Sequence, residues 1–177
     1  SYAFAKDKPI KLLNGGHLLD LLERHGKKAY IDIVAAKNIY GGTYNLLAHT
    51  LPDYGIDATF VDPFDFEAIK NAIQPNTKAI TIETLGNPNS EVVDIESIAK
   101  IAHDAGIPLF IDGARLGYGL VAEGNDVTLA DIARLSDVFY IGGTKVGALF
   151  GEAVVITNPD LLKHPVPLIK QHGALIA

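Results

Sequence analysis

Residues 77–112 read TKAITIETLGNPNSEVVDIESIAKIAHDAGIPLFID and place an amphipathic stretch between two short β-branched runs. The runs Ala79–Glu83 and Pro108–Asp112 are typical of buried strands. Asp94 has the position of a helix N-cap, and Gly106 stands where a left-handed residue commonly ends a helix. A strand, a helix and a second strand in this order predict a right-handed crossover between two parallel strands.

The same alternation continues on both sides of this unit. Further strands are predicted at Ile10–Leu13, Ala29–Ala35, Ala58–Val61, Val138–Ile141 and Ala153–Ile156. Further helices are predicted at His17–His25, Tyr44–Leu51 (closed by Pro52), Asp65–Ile73, Thr128–Leu135 and Pro159–Lys163. We therefore expect an α/β three-layer sandwich, with a mainly parallel sheet and helices on both faces, built by residues 1–177 as a single domain.

Composition narrows the function classes. The chain has 177 residues, 48% of them hydrophobic, and a formal net charge of −6. This balance argues against disorder, and against surfaces for nucleic acid or anionic membranes. The absence of Cys excludes disulfides, thiolate catalysis and zinc–thiolate sites. With no signal-peptide pattern, a cytoplasmic protein is expected.

Polar residues follow three of the predicted strands. Asn87 comes after the strand that ends at Glu83, Asp112 and Arg115 come at the end of the next strand, and Lys145 follows the strand Val138–Ile141. The carboxyl ends of parallel strands lie along one edge of a sheet, where α/β proteins bind ligands. An amide, a carboxylate, a guanidinium and an amine are thus predicted to meet at this edge.

A carboxylate and a lysine in one crevice suit pyridoxal phosphate (PLP). This cofactor needs a lysine amine for its Schiff base and a carboxylate that keeps its ring nitrogen protonated. Desolvation in a crevice also favours the neutral, nucleophilic form of a lysine. Spacing alone leaves two alternatives open, because Asp112 also suits a helix cap or turn and Lys145 an ordinary solvated position.

Residues 32–110 resemble a group of fold-type-I PLP enzymes that includes cystathionine synthase, methionine lyase and O-acetylhomoserine sulfhydrylase. The matching text is NIYGGTY at 38–44, YGID at 54–57, IETLGNPN at 82–89 and AHDAGIP at 102–108. The resemblance implies a reduced form of the large domain of these enzymes.

From Asp112 onward the sequence resembles the threonine aldolase and β-eliminating lyase group, which shares this fold type. The matching stretches are DGARLGYG at 112–119 and DVFYIGGTK at 137–145. Residues 1–31 resemble instead the tail of Mrr-type endonucleases, without a nuclease core. This predicts a mosaic of three segments, 1–31, 32–111 and 112–177.

The resemblance also implies roles for individual residues. Lys145 would form the internal aldimine, and Asp112 would pair with the ring nitrogen of the cofactor. Tyr40 would stack on the pyridine ring, Asn87 would bond the phenolic oxygen, and Arg115 would face the substrate carboxylate or the cofactor. Thr144, beside the lysine, counts among the cofactor-binding residues.

Simpler roles stay open for three of these residues. Tyr40 also suits a loop-packing aromatic, Asn87 a turn former before Pro88, and Arg115 a surface ion-pair partner. No metal site is expected, because the six histidines lack the spacing of metal ligands.

Two functional interpretations follow. The chain lacks Met, Cys and Trp, and it is less than half as long as the families it resembles. These features, and the change at Asp112 from one family resemblance to another, favour a synthetic or recombined scaffold with little or no turnover. The alternative is a genuine PLP-dependent lyase or transferase that acts at Cβ or Cγ of small amino acids through Lys145. In either case a homodimer is left open.

Overall fold

Six strands form one sheet in the computed structural model, which describes residues 30–161, 163 and 165–171. The strands, β1 to β6 in chain order, are Ile31–Ala36, Ile56–Val61, Thr77–Glu83, Leu109–Asp112, Val138–Ile141 and Ala153–Ile156. The α-helices, α1 to α6, are Gly41–Asn45, Phe66–Ala72, Ile95–Asp104, Leu116–Leu120, Leu129–Leu135 and Pro165–Gln171. A π-helical turn covers Leu46–Thr50, and 3-10 turns cover Leu51–Tyr54, Thr144–Val146 and Pro159–Leu161.

The strand order is β2-β1-β3-β4-β5-β6. The first five strands run parallel, and β6 returns antiparallel to β5. This confirms the predicted three-layer α/β sandwich with a mainly parallel sheet. The chain leaves β1 toward β2 on one side and then crosses back to β3 on the other. The carboxyl ends of β1 and β3 therefore flank a topological switch point, the place where open α/β sheets form a crevice.

The central strands supply the hydrophobic core. Ile82 of β3, Ile111 of β4 and Phe139 of β5 are each at most 2% exposed, and Ile98 of α3 is fully buried. Helix α3 packs against α2, α5 and β4. Burial of one such aliphatic side chain contributes about 1.5–3 kcal/mol. Core residues of β3, β4 and β5 thus lie on strands whose carboxyl ends form the crevice.

Asp94 caps α3 as predicted, and Asp65 and Thr128 are the caps of α2 and α5. Asp65 accepts a hydrogen bond from the Ala68 N–H, and Asp94 accepts one from the Ser97 N–H, each at 2.9 Å. Thr128 forms a capping box with Asp131. The Thr128 hydroxyl and N–H both donate to Asp131 and hold the pKa of that carboxyl below its usual value.

The predicted helix at Tyr44–Leu51 needs correction. Helix α1 starts earlier, passes into the π-helical turn, and continues as a 3-10 turn to Tyr54 before Gly55 ends it with φ of 75°. Pro52 does not close the segment, because it lies in the first positions of the 3-10 turn, where no N–H is needed.

Several other element predictions differ from the structure or lie outside it. Helices α4 and α6 were not predicted, and the helical turn predicted at Pro159–Lys163 is observed as a 3-10 turn over Pro159–Leu161. The predicted elements at 10–13 and 17–25, and residue 29 of the strand at Ala29–Ala35, lie outside the described residues.

A half-buried carboxylate, that of Asp137, joins α3, β4 and the segment after β6. Asp137 accepts hydrogen bonds from the Leu109 N–H at 2.9 Å, His103 Nε2 at 3.0 Å and the Asn158 amide at 2.8 Å. Burial alone would raise the pKa of Asp137, but these three donors together hold it below the usual value. The charged form is therefore the one that stabilises the fold.

We expect Asp137→Asn to lower the free energy of unfolding by about 2 kcal/mol at pH 7, because hydrogen bonds to a charged group are lost. A lowered folded-state pKa adds stability above the unfolded value near about 3.9, and this contribution disappears as the pH falls through the folded value. Urea denaturation between pH 7 and pH 3 should show the difference between the proteins shrinking with acid. The exposed Asp104→Asn variant is the control, and a constant difference at all pH values would contradict the assignment.

Candidate active site

A cavity of about 390 Å³ opens at the carboxyl ends of the parallel strands. Its walls are formed by Tyr40, Thr43, Glu83, Asn87, Asp112, Ala114, Arg115, Tyr140, Lys145, Glu152 and Val154. The volume falls in the range of about 300–1,000 Å³ that is usual for small-molecule sites. The cavity lies at the switch point between β1 and β3 and extends across β4 and β5.

The topology explains why residues distant in sequence meet here. Tyr40 follows β1, Asn87 follows β3, Asp112 ends β4, and Lys145 follows β5. The structure places these four residues and Arg115 on one cavity. Thr144 lies beside it rather than on its wall, and its hydroxyl donates to Glu152 Oε1 at 3.2 Å.

The carboxylate of Asp112 is buried and held by two donors. Its Oδ1 accepts a hydrogen bond from the Ala114 N–H at 2.9 Å and another from the Tyr140 hydroxyl at 2.5 Å. The Asp112 main-chain oxygen also accepts a bond from the Thr84 N–H at 3.0 Å. Asp112 is 7% exposed and lies on the cavity wall. A fixed carboxylate in this setting suits a cationic ring N–H.

Lys145 is an exposed side chain on a short 3-10 turn that its neighbours fix in place. Glu152 accepts bonds from the Gly143 N–H and the Thr144 hydroxyl, which brings the start of β6 against the turn. The Tyr118 hydroxyl donates to the Lys145 main-chain oxygen. The backbone that carries the lysine is therefore constrained, while its amine side chain reaches the cavity.

A second carboxylate lies beside Asp112 in the sheet. Glu83 pairs with Asp112 in the β3–β4 register and is 5% exposed. Its Oε1 accepts a hydrogen bond from the Tyr40 N–H at 2.5 Å, which ties the Tyr40 loop to the end of β3. Burial raises the pKa of Glu83, the Tyr40 bond opposes this, and the nearby charge of Asp112 raises it further. Tyr40 itself is 58% exposed, so its ring is free to pack against a bound group.

Arg115 joins two loops at the cavity rim. Its Nη1 donates to the main-chain oxygens of Leu85 at 3.2 Å and Gly86 at 3.1 Å. The Asn87 N–H donates to the Asn38 main-chain oxygen at 3.0 Å, which fixes this loop from the other side. The structure thus gives Arg115 a positioning contact with the Asn87 loop in addition to its place on the cavity wall.

The sequence alone indicates no role for three ionisable residues of the cavity wall, namely Glu83, Tyr140 and Glu152. The signal for Glu83 and Tyr140 was a polar side chain at or near the end of a buried strand. Glu152 carried no such signal, because only the antiparallel return of β6 brings it to the Lys145 turn.

The loops after β4 and β5 are in direct backbone-to-backbone contact at two glycines. The Gly142 N–H donates to the Gly113 oxygen at 2.9 Å. A Cβ at Gly113 would lie 1.7 Å from the Tyr140 oxygen, and one at Gly142 would lie 2.2 Å from the Ala114 oxygen. Only glycine fits at these two positions, and their closeness brings Asp112 and Tyr140 together.

We expect Gly113→Ala to lower the free energy of unfolding by about 3 kcal/mol, since a methyl group would force two backbone segments apart. Chemical denaturation of the chain measures this directly. Gly119→Ala is the matched control, because nothing lies within 4 Å of a Cβ at that position. Equal stabilities for the two variants would show that the loops relax at little cost.

The donor set of the cavity fits PLP. It combines an accessible amine, a buried carboxylate fixed at one oxygen, an exposed aromatic ring and an amide. These are the groups that the cofactor's aldehyde, ring nitrogen, ring face and phenolic oxygen require.

Comparisons with known proteins agree with this chemistry. The family model described as Cys/Met metabolism PLP-dependent enzyme matches residues 18–177. Homocysteine synthase from Schizosaccharomyces pombe is 42% identical over 124 residues, which cover 69% of this chain and 29% of that protein. O-acetyl-L-homoserine sulfhydrylase from Leptospira meyeri is 37% identical over 123 residues, covering 67% of this chain and 27% of that protein. The chain spans less than a third of the length of these curated relatives.

A solved structure extends the likeness across most of the chain. The threonine aldolase of Leishmania major superposes with a TM-score of 0.67 and 33% identity, over 82% of this chain and 46% of that one. The two resemblances noted in the sequence therefore both correspond to fold-type-I PLP enzymes.

These findings overturn the interpretation as a synthetic scaffold without activity. The family model runs through both predicted segment boundaries, at 31/32 and 111/112, as one continuous match. Identities near 40% to metabolic enzymes favour the alternative, a genuine PLP-dependent protein, and do not support a chimera.

Within the part of the chain that the structure describes, no helix is long and apolar enough to cross a membrane.

Proposed function

Because the chain belongs to the family of Cys/Met metabolism PLP-dependent enzymes, we propose that its cavity binds PLP through Lys145 and serves amino-acid chemistry at Cβ or Cγ. The observation that carries this proposal is the meeting of Asp112 and Lys145 on one cavity, with Tyr40 and Asn87 on its walls. When bound, PLP supplies an electron sink for the carbanion formed at the substrate.

Each residue has a distinct task in this proposal. The Lys145 amine would hold the cofactor and, in its neutral form, would be the base that moves a proton at the substrate carbons. Asp112 keeps the ring nitrogen protonated through its charged carboxylate. Tyr40 covers one face of the ring, and Asn87 donates to the phenolic oxygen. Arg115 holds the Asn87 loop and offers its remaining N–H groups to a carboxylate.

Substrate class follows from the relatives. Homocysteine synthase and O-acetyl-L-homoserine sulfhydrylase are named for chemistry at Cγ of a four-carbon amino acid, and threonine aldolase for chemistry at Cβ. We propose that this chain handles small amino acids of the same kind, which carry either a leaving group at Cγ or a hydroxyl at Cβ that allows cleavage of the Cα–Cβ bond.

Reductive trapping tests the cofactor assignment. The chain is incubated with PLP, reduced with borohydride and digested, and the modified lysines are mapped by mass spectrometry. We expect the pyridoxyl group on Lys145 at stoichiometric yield. Exposed lysines such as Lys37 and Lys100 serve as internal controls, and equal labelling of all three would refute a selective site.

Turnover tests the reaction class. The PLP-loaded chain is incubated with O-acetyl-L-homoserine and sulfide, and separately with L-threonine. We expect formation of homocysteine or of glycine above a PLP-only blank. Selective trapping at Lys145 without either product would leave the cofactor site standing and contradict the proposed reactions.

A further inference from the structure

Three polar side chains, those of Glu83, Asp112 and Tyr140, form a row along the cavity wall. Glu83 pairs with Asp112 in the register of β3 and β4. The β4–β5 register pairs Ile111 with Phe139, which brings Tyr140 next to Asp112. All three members of the row lie on the cavity wall at the ends of adjacent parallel strands.

The two side-chain oxygens of Asp112 differ in their surroundings. Both the Ala114 N–H and the Tyr140 hydroxyl donate to Oδ1, at 2.9 and 2.5 Å. Among the described residues, no hydrogen bond ends on Oδ2. The carboxylate is therefore held at one oxygen, while the other remains available to a group in the cavity.

We propose that Tyr140 is a positioning residue, whose hydroxyl holds Asp112 by Oδ1 so that Oδ2 is kept for the ring nitrogen of PLP. This inference rests on the proposed function, since it names the group that orients the cofactor's carboxylate partner. In this proposal Tyr140 acts through Asp112 and does not contact the reacting atoms.

The hydroxyl of Tyr140 is suited to this task because it remains a donor. Burial, the bond to Asp112 and the negative charges of Asp112, Glu83 and Glu152 all raise the pKa of Tyr140 above its usual range. The phenol therefore stays protonated, and beside a carboxylate it can only donate. Loss of the hydroxyl would leave Oδ1 with the Ala114 N–H alone and allow the carboxylate to rotate.

Tyr140→Phe tests the inference by equilibrium binding of PLP, followed through the cofactor's absorbance. The variant keeps the ring and removes only the hydroxyl. We expect the dissociation constant for PLP to rise about tenfold, a change of roughly 1.4 kcal/mol. Tyr54→Phe, at an exposed position on the 3-10 turn after α1, is the matched control and should bind as the unmodified chain does.

A cofactor analogue separates positioning from general damage to the site. In deaza-PLP a carbon replaces the ring nitrogen, so Asp112 has no partner on the ring. We expect Tyr140→Phe to bind this analogue as tightly as the unmodified chain does. We also expect the Tyr140→Phe effect on PLP to vanish in an Asp112→Asn background, as a double-mutant cycle requires of a coupled pair.

The outcomes are distinct. Unchanged PLP affinity in Tyr140→Phe, or equal weakening toward PLP and deaza-PLP, would overturn the positioning role and leave the proposed function intact. Failure of the unmodified chain to bind PLP saturably would overturn the proposed function and this inference together.

Discussion

Replacing Lys145 by alanine is expected to abolish covalent attachment of PLP and to lower turnover by at least about a thousandfold. The amine is the group that bonds the cofactor's aldehyde. Among the described residues, the cavity wall carries two other side chains with nitrogen, the amide of Asn87 and the guanidinium of Arg115. A guanidinium does not deprotonate in proteins and cannot replace the amine.

Absorbance spectra of the unmodified chain and the Lys145→Ala variant with added PLP measure this effect. The side chain of Lys145 is exposed, so the variant should keep its fold, which circular dichroism can verify. Lys100→Ala is the matched control, since Lys100 pairs with Asp104 on the surface of α3. An imine band of equal strength in Lys145→Ala would assign the attachment to another lysine.

Asp112→Asn has the second largest expected effect. Truncating the charge of a buried hydrogen-bonded pair costs about 2–5 kcal/mol, so the dissociation constant for PLP should rise at least about 30-fold. The amide oxygen of asparagine can still accept from Ala114 and Tyr140, which should preserve the local structure.

Equilibrium titration with PLP, with Asp53→Asn at an exposed position as the control, checks this value. Deaza-PLP should bind to the unmodified chain and to Asp112→Asn with similar affinity, because it lacks the protonated ring nitrogen that the carboxylate would pair with. Equal affinities of both proteins for PLP itself would place the ring nitrogen away from Asp112.

The arrangement of strands and helices was largely predictable, since its causes are local. The unit from Thr77 to Asp112 carries its own β-branched runs, the Asp94 cap and the Gly106 stop, and the structure shows each of them. The prediction that the helix ends at Leu51 was wrong, because Pro52 is compatible with a 3-10 turn. This turn continues to Tyr54 and packs against β2.

The candidate site was predictable only in part. Polar residues at the ends of parallel strands indicated that Asn87, Asp112, Arg115 and Lys145 would meet, because strand direction alone places them on one edge. The same reasoning could not show that Glu83 holds the Tyr40 loop, since that contact joins residues 43 positions apart through one hydrogen bond.

The amino-acid sequence by itself determined the α/β class, the parallel direction of the inner strands and the chemical groups at their carboxyl ends, since periodicity, caps and residue types act over a few positions. The tertiary structure decided that the Tyr140 hydroxyl donates to Oδ1 of Asp112, and that Glu152 supports the Lys145 turn. These depend on strand order and on the antiparallel return of β6, which arise from packing between distant segments and leave no local pattern in the chain.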